Sequence, residues 1–129
     1  MTNKGETLDP ADWQEFRKLA HRMVDDSLDH LQTVGDRPPW QPLPASVRSA
    51  LTTEPLPHAA QTAERAYDEF LTNVLPYTNG NRHPRFWGWI QGSGTPLGMM
   101  ADMLAAGMNP HCAGLDQSSK LVELKVIAW

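Results

Sequence analysis

Six of the eleven prolines of this 129-residue chain fall between Pro38 and Pro57, in the runs PPWQPLP and EPLP. Each proline fixes its own φ, removes a backbone donor and turns its predecessor away from helical geometry. A continuous helix is therefore excluded over most of this span, which reads as an extended arm. Only Ala45 to Leu51 has room for a short helix, with Ser46 as its cap. The arm is expected to be an ordered crossing on the surface of a larger assembly, with Trp40 buried; its competing use is as a polyproline ligand for an aromatic groove.

Helical patterns flank the arm. Asp9 suits an N-cap, Pro10 a first helical position, and Asp12 the first turn, where a carboxylate meets the positive end of the helix dipole. A helix from Pro10 to Thr33 follows, carrying Trp13, Phe16, Leu19, Ala20, Met23, Ser27, Leu28 and Leu31 on one stripe and ending at Gly35. A second helix is predicted from His58 to Leu75, with Tyr67, Phe70, Leu71 and Val74 on its apolar side and Pro76 as its stop. Asn79-Gly80 suits a turn with positive φ. Leu115 to Trp129 reads as a last helix, capped near Asp116. It stops on Val126-Ile127-Ala128-Trp129 with no closing signal, so the pattern is expected to continue in a longer protein.

Between these helices the chain changes character. An aromatic run, Phe86-Trp87-Gly88-Trp89-Ile90, predicts a strand or extended segment, and Gly92-Ser93-Gly94-Thr95 a turn in which a ligand or another backbone can approach closely. Thr95 or Ser93 then caps an apolar helix with Pro96 in its first position and Gly107 at its end. Met99, Met100, Met103 and Met108 give that helix a soft surface of the kind found in cores and subunit interfaces. Asp102 is expected to face solvent or to pair with Arg82 or Arg85.

Composition excludes several classes of function. A net charge of −4 with dispersed Lys and Arg argues against a nucleic-acid partner. The N-terminus lacks an apolar leader segment and no window has the apolar length of a membrane span, so no membrane partner and a cytoplasmic location are expected. The single cysteine, Cys112, agrees with a reducing compartment. His58, His83, His111 and Cys112 match no zinc spacing, and no carboxylate pair has a defensible acid/base spacing.

The stretch HPRFWGWIQGSGTPLGMMADMLAAGMNP, His83 to Pro110, resembles the N-terminal region of the pyridoxal-phosphate-dependent decarboxylases of aromatic amino acids, histidine and glutamate. These share a segment of the form HPxFxG, a short loop, and a helix with a Met/Leu-Ala-Asp/Glu-Met-Leu core and a small-residue end. The likeness is looser from Leu8 to Arg82 and from His111 to Trp129.

The resemblance implies an α/β parent enzyme of fold type I, of which this chain is a mainly α portion. Residues 1–57 would be the helical and proline-rich arm, and residues 58–129 the helices and pocket loop at the start of the large cofactor domain. It also implies pyridoxal 5'-phosphate as cofactor, a small amino acid as substrate, and a second copy of the complete subunit as partner in a homodimer. The reaction would be loss of the substrate's α-carboxylate, with the cofactor ring as electron sink.

Carried over by position, Trp89, Ile90, Gln91, Gly92 and Ser93 would form the wall of the substrate pocket. His111 and Ala113 would reach toward the neighbouring subunit's site. The aromatic-amino-acid enzymes place a Tyr-Phe-Pro-Thr type run where this chain has Trp89-Ile90-Gln91-Gly92, so their substrate preference does not carry over. None of Lys4, Lys18, Lys120 and Lys125 has the apolar setting of a Schiff-base lysine, and no catalytic, cofactor-binding or metal residue is assigned. The isolated chain is expected to be inactive. The alternative is a free-standing helical interaction module that holds a partner with its proline arm and methionine face.

Overall fold

Helix starts follow side-chain capping. In the computed structural model, which describes residues 7, 9–111, 114 and 116–129, the first helix, α1 (Trp13–Gln32), opens where Asp12 Oδ1 accepts from the Gln14 and Glu15 amides at 2.8 and 3.1 Å. The expected start at Asp9 and Pro10 is thus displaced by one turn. The Asp9 side chain is engaged elsewhere: Thr7 Oγ1 donates to its Oδ2 at 3.0 Å, and the Asp9 amide donates back to that hydroxyl at 3.1 Å. At the other end the Thr33 amide and hydroxyl both donate to the Asp29 carbonyl, and Gly35 lies two residues later, inside a 3-10 turn, Val34–Asp36.

The described residues form four more helices and no strand: α2 (Ala45–Thr53), α3 (Ala63–Asn73), α4 (Pro96–Met108) and α5 (Ser118–Ile127). The chain is mainly helical, as its patterning predicts. It divides into two compact units, Met1–Gln91 and Gly92–Trp129.

In the first unit α2 runs two residues beyond the predicted Leu51, and Pro44 rather than Ser46 holds its N-cap position, with no side-chain cap. α3 begins at Ala63, five residues after the predicted His58, because Thr62 Oγ1 supplies the cap by accepting from the Arg65 amide at 3.2 Å. It ends at Asn73, and Pro76 sits within a second 3-10 turn, Leu75–Tyr77.

α1 and α3 are joined by polar contacts and a cation–π contact. Leu19 and Tyr67 are the buried apolar side chains of the described residues. Above them the Tyr67 hydroxyl donates to Asp26 Oδ2 at 2.9 Å, and Arg22 pairs with Asp68 at 2.9 Å and Asp26 at 3.6 Å, its guanidinium lying 5.2 Å from the centre of the Tyr67 ring. Much of the α1 stripe stays open: Trp13, Phe16, Met23 and Leu28 are exposed, while Ala20, Ser27 and Leu31 are half-buried.

The proline arm is tied to the end of α3. Gln41 Nε2 donates to the Pro76 carbonyl at 2.8 Å. The Pro39 carbonyl passes so close to Gly80 that a Cβ there would stand 1.8 Å from its oxygen, and Gly80 has φ +64°. Only glycine meets both demands. Trp40, expected to be buried, is 62% exposed: the prolines beside it hold the backbone against the unit while its indole projects outward.

In the second unit α4 starts as predicted, with Thr95 Oγ1 accepting from the Gly98 amide at 2.9 Å and Pro96 in the first turn. It runs past Gly107 and closes at Asn109, whose φ of 42° is left-handed. α5 starts at Ser118 with Gln117, next to the expected Asp116, in the N-cap position, and has no side-chain cap. No described helix is long and apolar enough to cross a membrane.

Candidate functional site

The loop from His83 to Ser93 is built by short-range hydrogen bonds. The His83 amide donates to the Gly80 carbonyl at 2.8 Å and the Phe86 amide to the His83 carbonyl at 2.9 Å, which coils the chain before the aromatic run. His83 itself is 3% exposed. Its Nδ1 accepts from the Arg85 amide at 3.0 Å, so the neutral ring carries its hydrogen on Nε2, and that atom is buried without an acceptor among the described residues.

The expected aromatic strand does not form. A strand needs a partner to take its backbone groups, and the described residues offer none. Trp89 instead adopts φ 48°, which breaks the extension, and the Phe86 and Trp89 rings tilt against each other with centroids 6.0 Å apart. Gly88 makes room for this: a Cβ there would lie 3.0 Å from the Phe86 ring.

The five predicted wall residues, Trp89 to Ser93, fall in both units. Trp89 and Ile90 are exposed, at 76% and 104%, and Gln91 is held by the Asn79 amide nitrogen, which donates to its Oε1 at 3.1 Å. These three close the first unit. Gly92, Ser93 and His111 belong to the second and are exposed, and a Cβ at Gly92 would meet open space. The His111 carbonyl accepts from Gln117 Nε2. Ala113 and Cys112 lie outside the described residues. Cavities of about 630 and 410 Å³ occur in the first unit, and neither is lined by these residues.

The remaining candidates separate by burial and pairing. His58 is exposed while His83 is buried, and no group of three His, Cys, Asp or Glu side chains among the described residues is placed to hold a metal. Asp102 is exposed. Lys18 pairs with Glu15 at 2.6 Å on the outer face of α1, and Lys125 lies over the Trp129 ring at 5.3 Å. Lys120 is half-buried at the start of α5, and Lys4 lies outside the described residues. A Schiff-base cofactor needs a desolvated lysine, an acid for the ring nitrogen and a phosphate cradle, and the described residues do not assemble that set.

Two features escaped the sequence reading. One is the Arg22, Asp26, Tyr67 and Asp68 cluster; only the four-residue step from Arg22 to Asp26 shows in the sequence, since its other half lies on a helix 41 residues on. Burial, and then the bond to Asp26, push the Tyr67 hydroxyl up to about 12. The other is His30, whose ring accepts from Arg37; burial first, then the charges of Arg37 and Arg82, hold its pKa below the ordinary histidine value.

Comparison with known proteins gives relatives that include several amino acid decarboxylases. The chain is 25% identical over 120 residues to tyrosine decarboxylase 1 of Narcissus pseudonarcissus, covering 93% of this chain and 23% of that protein. It is 25% identical over 118 residues to an aromatic-L-amino-acid decarboxylase of Bacillus atrophaeus, covering 90% and 25%. It is likewise 25% identical over 104 residues to phenylacetaldehyde synthase of Arabidopsis thaliana, covering 81% and 21%. The chain thus spans about a quarter of the length of these curated relatives or somewhat less. No family model and no solved structure matches it.

Proposed function

Because this chain is a homologue of the tyrosine and aromatic-L-amino-acid decarboxylases, we propose that it is the N-terminal part of a pyridoxal-phosphate-dependent carboxy-lyase acting on an L-amino acid, and that it is inactive by itself. The observation that carries this reading is the similarity over 93% of the chain to a protein about four times its length, joined to the ordered run from His83 to Pro110. The reaction requires a cofactor lysine, which this chain's described lysines do not fit; the cofactor would be held by residues of the complete enzyme outside this chain.

Within such an enzyme the role of this chain is structural and positional. The open α1 stripe of Trp13, Phe16, Met23 and Leu28 is an apolar surface that a second subunit would cover in a homodimer. Trp89 and Ile90 would present apolar area to the substrate side chain, and Gly92, with open space where a Cβ would stand, would leave room beside them. Residues 1–57 serve as the arm and residues 58–129 as the start of the large domain. His111 and Ala113 would face the partner's site.

Incubating the chain with pyridoxal phosphate and reducing with borohydride tests the central statement. No single lysine should take up a stoichiometric pyridoxyl group, and no amino acid should be decarboxylated. A stoichiometric adduct on one lysine would refute the proposal that the cofactor site lies outside this chain.

A further inference from the structure

The cavity of about 410 Å³ in the first unit lies between the end of α1, the proline arm and the turn after α3. Val34, Leu71 and Leu75 give it a half-buried apolar part beside the half-buried polar His30 and Gln41, and the buried His83 also lines it. At its rim stand two exposed side chains, Arg37 and Trp40.

Three observations give the cavity a chemical preference. Arg37 donates to Thr33 Oγ1 at 2.8 Å and to His30 Nδ1, which engages two of its five N–H donors, and no carboxylate of the described residues lies within ion-pair distance of it. In the same wall burial first, and then the charges of Arg37 and Arg82, lower the pKa of His30, and those two guanidinium groups make the local field positive. His83 Nε2 is a buried donor that lacks an acceptor among the described residues, a state that native interiors rarely leave uncorrected. An anion would complement the first two, and a flat apolar body the apolar part of the lining. The volume lies within the usual range for small-molecule sites.

We propose that this cavity binds a small aromatic carboxylate, its carboxylate paired with the Arg37 guanidinium at the rim and its ring lodged against Trp40, Leu71 and Leu75. Arginine suits this task because its planar fork matches a carboxylate's two oxygens, while the indole beside it supplies a flat face. The site goes beyond the decarboxylase reading and does not depend on it.

Titrating the full 129-residue chain with phenylacetate, acetate and inorganic phosphate, while following the imidazole resonances of His30 and His83, tests the proposal. Phenylacetate should shift both rings saturably with half-saturation at about 1 mM or below, and acetate and phosphate should need at least about tenfold more. Arg37→Met and, separately, Trp40→Ala should each weaken phenylacetate binding by about tenfold. Absence of saturation, an equal response to phosphate or acetate, or unchanged affinity in either variant would overturn it.

Discussion

The Tyr67 hydroxyl donates to Asp26 Oδ2 at 2.9 Å across the contact of α1 with α3, and its pKa is raised from 10.0 to about 12. The bond requires the protonated phenol, so its stabilising effect is complete below the ordinary pKa near 10.0 and is lost as pH climbs through about 12. Tyr67→Phe should cost about 1 kcal/mol in urea unfolding at neutral pH and should remove this alkaline loss of stability. Equal alkaline sensitivity in the variant would show that another group titrates there.

Gly80 meets the Pro39 carbonyl at a distance that no side chain tolerates, and at a positive φ. Gly80→Ala should therefore destabilise the chain by more than about 2 kcal/mol, read as a lowered Tm. Gly107, inside α4 with open space around it, is the control: Gly107→Ala should be neutral or stabilising by up to about 1 kcal/mol.

His30 titrates below its ordinary value of 6.5. A histidine with a depressed folded-state pKa leaves stability intact above 6.5 and loses it as pH falls from there through the folded value. Removing the neighbouring charge with Arg37→Met should move the His30 titration upward in a proton NMR pH series and reduce the acid sensitivity of folding. A titration curve identical to that of the parent chain would refute the Arg37 contribution.

In the longer carboxy-lyase that we propose, Gly92→Leu should raise KM or abolish turnover by filling the open space at Gly92, while the absorbance of a cofactor held outside this chain persists. Equal activity over the whole substrate range would remove Gly92 from the pocket wall. Deleting residues 1–33 should raise the dimer dissociation constant, measured by sedimentation.

Features fixed within one helical turn were legible in the sequence: Thr95 and Pro96 open α4 because a hydroxyl, an amide three residues on and a preset φ need nothing from the rest of the chain. Where two local solutions competed, the pattern misplaced the choice, as with Asp9 and Asp12, because a hydrogen bond from Thr7 decides it. In this chain Trp40 is exposed and residues 86–90, expected as a strand or extended segment, form no strand, since burial and strand pairing each depend on a partner surface that residue identity does not supply. His83 was noticed as the start of the HPxFxG segment and as a weak metal candidate, not as a buried residue; its burial follows from the tertiary position of the turn at Gly80. The wall from Trp89 to Ser93 and on to His111 was drawn from family likeness alone, and its residues divide between the two units.

The clasp of α1 on α3 joins residues 41 and 46 positions apart, and the arm is anchored to Pro76 across 35. On a translating ribosome, α1 therefore emerges long before anything that can hold it. Until Tyr67 and Asp68 have left the exit tunnel, Leu19 travels uncovered on a nascent helix, and Trp13, Phe16, Met23 and Leu28 stay open even after the clasp has formed, a natural target for chaperones that recognise apolar segments. Closing loops of this length also makes docking slower than helix formation, so the order of events is helices first and their clasp only after the second anchor arrives.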